Sequence, residues 1–235
     1  MFGMSEADAA SGGHAGTAGT AGTAGTASAS AQAPPARRGR TPSADVEREL
    51  LAAAEAVLVR DGPAGLTVRA VAAEAGIAPM GVYNKLGGKD GLVDALLIRG
   101  FDRLGAAMEA ATSDTAEPSM RGRFIACGRS YRRFALDNPH FYAIIFERAI
   151  PRDHDGNPEV EEHARATFGA LVRTVELAAA AGVIAAPDPV EAAQQIWSTV
   201  HGAVALELKG LVLTPDPQYT YQALLATIIR GLAPR

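Results

Sequence analysis

From Ser43 to Arg235 the apolar residues recur at helical spacing, and no segment shows the period-two alternation of a strand. Leu50, Ala54, Val57 and Leu58 form the stripe of a first helix. Ser43 suits its N-cap, and Asp45, Glu47 and Glu49 follow where the helix dipole favours anions. The stretch RDGPAG, residues 60 to 65, is expected to stop this helix. Thr67 can cap a second helix, Val68 to Glu74, and a third runs from Pro79 to Leu86. Gly87 or Gly88 suits the left-handed cap that closes it. A fourth helix is expected from Asp90 to about Ala111 and a fifth from Ser119 to Leu136. Asn138-Pro139 marks the start of a short sixth helix, and a seventh spans about Glu159 to Ala181. Asp188-Pro189 and Asp216-Pro217 repeat the cap-then-proline signature before an eighth and a ninth. The expected fold is all-α, with a three-helix head at residues 43 to 90 and a larger helical bundle at 91 to 235.

Residues 1 to 42 differ in kind. AGTAGTAGTAGT, residues 15 to 26, can bury almost nothing, which predicts a disordered tail. APPARRGRTP then brings Arg37, Arg38 and Arg40 up to the first helix without an acid among them. The first thirty residues contain no apolar signal core, and no run of about 18 apolar residues predicts a membrane span. The formal charge of −4 excludes a uniform polycation but leaves room for a local basic face. With one cysteine, Cys127, an intramolecular disulfide is impossible, which fits a reducing cytoplasm. Cys127 itself reads as a small buried residue.

The turn at residues 75 to 77 carries the first functional signal. Two short helices crossing over a tight turn need a residue that takes positive φ, and Gly76 supplies it. They need a small residue where the backbones approach, and Ala72 precedes Gly76 by four. Val71, Ala75, Ile77 and Val82 fit the inward positions. Such a unit is either an ordinary pair of core helices or a helix-turn-helix, whose second helix enters the major groove of DNA. The basic arm and Lys89 favour the second reading.

Residues 45 to 96 resemble the N-terminal domain of TetR-family transcriptional regulators. The resemblance rests on Thr67-Val68-Arg69, Val71-Ala72, Ala75-Gly76-Ile77, Val82-Tyr83 and Lys89-Asp90-Gly91-Leu92. It implies phosphate contacts from Thr67, Tyr83 and Lys89, and base reading by Pro79, Met80, Asn84 and Lys85. Arg69 is a candidate for either role. Met80 either touches a thymine methyl or only packs, and Tyr83 and Lys89 have packing and solvation as alternatives. Arg37, Arg38 and Arg40 act as a minor-groove or phosphate arm, or as a solubilising tail. The chain departs from the family where Ala78 replaces the usual Ser, Gly81 the usual Thr, Lys85 a His or Tyr, and Leu86 an aromatic. Operator sequences known for relatives therefore do not carry over.

The bundle is less explicit. Phe124, Tyr131, Phe134, Phe141, Tyr142, Phe146 and Phe168 concentrate between residues 124 and 168. They line an apolar effector pocket or simply pack. IWSTVHGAVALEL, residues 196 to 208, resembles a Trp-x-x-x-His-Gly signature of one TetR subgroup. Trp197 and His201 share a helix face, and His201 is either a ligand contact or a hydrogen-bonded core histidine. Gly202 would permit close approach by another helix. The resemblance further implies a homodimer through the last two helices, set against a palindromic operator. Neither metal nor cofactor is expected, because no His/Cys/Asp cluster has ligand spacing, and His154 between Asp153 and Asp155 reads as solvated. No spaced nucleophile–base set or phosphate-cradling loop supports an enzyme. The expectation is a cytoplasmic regulator, either a repressor released by a small apolar effector or an activator or ligand-independent DNA binder.

Overall fold

A computed structural model describes residues 43–113, 116–147 and 156–234. The tail with Arg37, Arg38 and Arg40 lies outside the described residues, as does the loop carrying Asp153, His154 and Asp155. Among the described residues there are nine helices and no strand: α1 (Ser43–Gly65), α2 (Val68–Glu74), α3 (Pro79–Leu86), α4 (Lys89–Thr112), α5 (Met120–Asp137), α6 (Pro139–Phe146), α7 (Pro158–Ala180), α8 (Pro189–Leu208) and α9 (Pro217–Gly231). None of them is long and apolar enough to cross a membrane.

Capping chemistry sets most boundaries. Thr67 accepts from Ala70 N at 3.1 Å and opens α2. Asp188 accepts from Val190 N and Glu191 N at 3.0 and 3.1 Å, and Asp216 accepts from Tyr219 N at 2.9 Å. Each bond satisfies a donor that a helix start leaves without an intrahelical partner. RDGPAG interrupts the first helix: Gly62 takes φ +70° and ψ −177°, outside helical geometry, before a short further turn that ends at Gly65. One local expectation is corrected. Asn138 does not cap α6 with its side chain. Its amide donates to Phe134 O at 2.9 Å and closes α5.

The stripe Leu50, Ala54, Val57 and Leu58 is buried against Val71 and Ala72 of α2, Val82 of α3 and Leu92 of α4, so the two short helices do not stand alone. Gly76 carries the turn between them at φ +66°. Ala75 and Ile77 are only half-buried.

Helix α4 packs against α1 and α3 at one end and against α5, α6 and α7 along its length. Glu55 of α1 faces Arg99 and Arg103 of α4: Arg99 Nε lies 2.9 Å away, and Arg103 pairs with both carboxylate oxygens. The Arg103 guanidinium also sits 5.3 Å above the Phe141 ring. On α7, Thr167 donates to Phe101 O at 3.1 Å, and His163 Nδ1 lies 2.5 Å from Asp102. Helix α4 thus contacts both the head and the bundle, and α6 also packs against α1.

Candidate nucleic-acid interface and effector cavity

Helix α3 buries only Val82 completely; Pro79, Met80, Tyr83, Asn84 and Lys85 point outward. Met80 is 64% exposed, so its side chain is available at the surface. The Tyr83 ring lies over Gly88, where an added Cβ would come within 2.8 Å of Cε1, yet Tyr83 remains 54% exposed. Packing and exposure therefore coexist at this residue. Gly87 closes α3 at φ +72°, and Lys89 begins α4 two residues later, exposed. Thr67 and Arg69 are exposed at the start of α2. The Thr67 oxygen is occupied as an acceptor by Ala70 N, which leaves its O–H able to donate outward. Ala78, the N-cap of α3, offers no side-chain bond, and the missing hydroxyl leaves that helix start to backbone groups. A Cβ at Gly81 would meet Ile77 Cδ1 at 2.7 Å, so the absent side chain makes room for Ile77.

The bundle encloses a cavity of about 330 Å³. Phe101, Leu104 and Met108 of α4 form one wall, opposite Phe124, Cys127 and Tyr131 of α5. Phe146 of α6, Phe168 and Leu171 of α7, Ile196, Trp197 and Val200 of α8, and Leu225 of α9 also line it. Of the aromatic residues singled out from sequence, Phe124, Tyr131, Phe146, Phe168 and Trp197 meet here. Phe134, Tyr142 and His201 do not line it. Phe134 is buried nearer the far end of α5, beside Arg103 and Arg133. Phe101, Leu104 and Met108 were missed in the sequence, because wall residues of a cavity and core residues share one spacing.

His201 stands behind the wall. Tyr131 Oη lies 2.7 Å from His201 Nδ1, and Tyr142 Oη lies 3.4 Å from the same nitrogen. The rings of Tyr142, Phe146 and Trp197 surround the imidazole at 5.0 to 5.6 Å between centroids. Burial holds the His201 pKa below the ordinary histidine value, against a smaller upward pull from Glu147. The imidazole is therefore neutral near pH 7, with one ring nitrogen free to accept the phenolic proton. Burial pushes Tyr131 well above the ordinary tyrosine range and Tyr142 up to about 12. Burial also raises the Cys127 thiol to about 12. Gly202, expected to admit another helix, is exposed on α8, and within the chain a Cβ there would meet nothing. Among the described residues no three His, Cys, Asp or Glu side chains gather as metal ligands.

Two family descriptions match this architecture: "Bacterial regulatory proteins, tetR family" over residues 50–96 and "Tetracyclin repressor-like, C-terminal domain" over residues 124–228. The chain belongs to the TetR family. Its helix-turn-helix is thus that of a DNA-binding transcriptional regulator, with α3 in the place of the recognition helix. A solved structure of a protein with unknown function from Rhodococcus sp. RHA1 is similar at 33% identity and TM-score 0.72, covering 85% of this chain and 99% of that one. A curated relative, the HTH-type transcriptional regulator Rv1816 of Mycobacterium tuberculosis, is 25% identical over 80% of this chain and 92% of its own length. A bacterial regulatory protein in the tetR family from Rhodococcus RHA1, at 21% identity and TM-score 0.59, shares the fold over 81% of this chain and 98% of that one.

Proposed function

We propose that this TetR-family regulator is a cytoplasmic homodimeric repressor, released from a palindromic operator by a small apolar molecule bound in the α4–α9 cavity. Residues 43 to 90 act as the DNA head and residues 91 to 235 as the sensing and dimerising body. The observation that carries the reading is the double duty of α4. Its Phe101, Leu104 and Met108 face the cavity, while its Arg99 and Arg103 hold Glu55 of the head. A molecule that displaces the cavity wall therefore displaces the helix to which the head is tied. Release requires that the effector bind the non-DNA-binding arrangement more tightly than the DNA-binding one.

On DNA, Thr67, Tyr83 and Lys89 serve phosphates, and Arg69 serves either phosphate or base. Pro79, Met80, Asn84 and Lys85 face the base edges. Asn84 and Lys85 supply the hydrogen-bonding groups, and Met80 suits a thymine methyl. Dimerisation through α8 and α9 is supported by apolar side chains left outside the core: Leu206 of α8 is 49% exposed, Leu211 and Leu213 of the loop between the two helices are 56% and 99% exposed, and Tyr219 of α9 is 72% exposed. An unpartnered apolar surface of that kind marks an interface.

Fluorescence anisotropy with the upstream intergenic DNA, over a salt series and beside unrelated DNA, tests the reading. Tight salt-dependent preference for the upstream fragment is expected. Equal weak binding to both fragments would count against a specific operator in that fragment.

A further inference from the structure

The cavity also says what kind of molecule it accepts. None of its lining residues is Asp, Glu, Lys, Arg or His. The two lining groups able to form anions, Tyr131 and Cys127, are both held protonated by burial. An ionised ligand would therefore lose its hydration and gain no counter-charge, which strongly disfavours entry.

Most neutral polar groups are committed elsewhere in the fold. The Tyr131 hydroxyl is engaged by His201, which lies outside the lining. The Thr167 hydroxyl bonds the carbonyls of Phe101 and His163 at 3.1 and 2.9 Å. The Gly128 carbonyl accepts from Tyr221 at 2.8 Å. Gln194, the one side-chain amide in the lining, is exposed and donates to Ser198 at 3.1 Å. The interior thus shows a ligand mainly ring faces and aliphatic groups, with no charged side chain. The Trp-x-x-x-His-Gly signature gains a physical role from this arrangement: His201 draws the polarity of Tyr131 out of the cavity.

Size sets the other limit. At about 330 Å³ the cavity lies at the small end of the range for organic-ligand pockets, which favours a compact guest.

We infer that the effector is an uncharged, compact, ring-containing molecule, and that its ionised carboxylate analogues are excluded. This rests on the cavity being the effector site. A site without charged side chains selects by size and charge, so a probe of the class is a fair test even where the natural effector is unidentified.

The probes are 1-adamantanol and adamantane-1-carboxylate, titrated into the full-length chain at pH 7.5. Trp197, the only tryptophan of the protein and part of the wall, reports binding by its fluorescence. The expected result is saturable binding of the alcohol, with the carboxylate weaker by roughly a hundredfold or more. Ala164→Phe, which fills the cavity from α7, should abolish the alcohol's signal while the variant melts like the parent. Equal binding of the carboxylate, no response to the alcohol up to its solubility, or an unaltered signal in Ala164→Phe overturns the inference. Operator affinity is measured separately with and without the alcohol. Binding at Trp197 without loss of operator affinity would retain the ligand class and remove the release mechanism.

Discussion

Thr67 tests the head most cleanly, because its one hydroxyl serves two tasks that substitution can separate. As N-cap of the seven-residue α2 it accepts from Ala70 N at 3.1 Å; as an exposed donor it is placed to meet a phosphate. Thr67→Ala removes both. Loss of the cap costs about 1 kcal/mol, which lowers the melting temperature by roughly 2–4 °C in a chain of this length. Loss of a hydrogen bond to a charged phosphate costs about 1.5–3 kcal/mol per head, roughly a ten- to hundredfold fall in affinity. Thr67→Asp keeps the acceptor and suits the helix dipole, so its melting temperature should match the parent's. The same carboxylate faces the phosphate, and at about 4 Å the repulsion reaches some 4 kcal/mol in a surface-like dielectric before salt screening. Affinity in Thr67→Asp should therefore fall further than in Thr67→Ala, and more at low salt than at high. Thermal melts beside anisotropy at two salt concentrations read both quantities. A Thr67→Asp variant that melts normally and binds operator like the parent would refute the placement of α2 against the backbone.

Other expectations follow from single contacts. Gly76→Ala has open space but the wrong backbone region, so it should cost about 1–2 kcal/mol by strain alone, with Gly76→Asn milder, as read from urea midpoints. Lys89→Ala should weaken binding to all DNA sequences alike and reduce the salt slope by about one per head, whereas Asn84→Ala should relax sequence preference and leave the slope unchanged. Glu55→Gln leaves Arg99 and Arg103 without their carboxylate, and should destabilise the chain by about 1–3 kcal/mol in chemical denaturation. His201 has a lowered folded pKa, so the unfolded chain takes up the proton first. Its contribution to stability is full above about pH 6.5 and falls as the pH drops below that value. His201→Gln should therefore show a smaller loss of urea stability between pH 8 and pH 5.5 than the parent does.

The sequence announced its helix boundaries wherever a side chain does the capping. Thr67, Asp188 and Asp216 could be assigned from residue type because the cap is local. Asn138 could not: an Asn between two helices has two ends to serve, and its side chain closes α5 instead of opening α6. The head was legible because its residues are tied to a turn of fixed spacing. The cavity was legible only in part. Aromatic crowding pointed to Phe124, Tyr131, Phe146, Phe168 and Trp197, but equally to Phe134 and Tyr142, which lie outside the wall. Phe101, Leu104 and Met108 carry the same i, i+3, i+7 pattern as any core stripe, and only the tertiary arrangement leaves space beside them.

Cys127 has a practical consequence. Maleimides and disulfide reagents attack the thiolate, and this thiol is buried, with its pKa raised to about 12. Away from a ligand that enters the cavity, Cys127 should therefore react slowly with thiol reagents, so the natural sequence offers little competing label. A cysteine introduced at the surface, as in Asn84→Cys on the recognition helix, would be labelled preferentially. Spin labels placed there would give the distance between the two heads of a dimer directly, with and without effector, and no native side chain of the bundle need be replaced to obtain it.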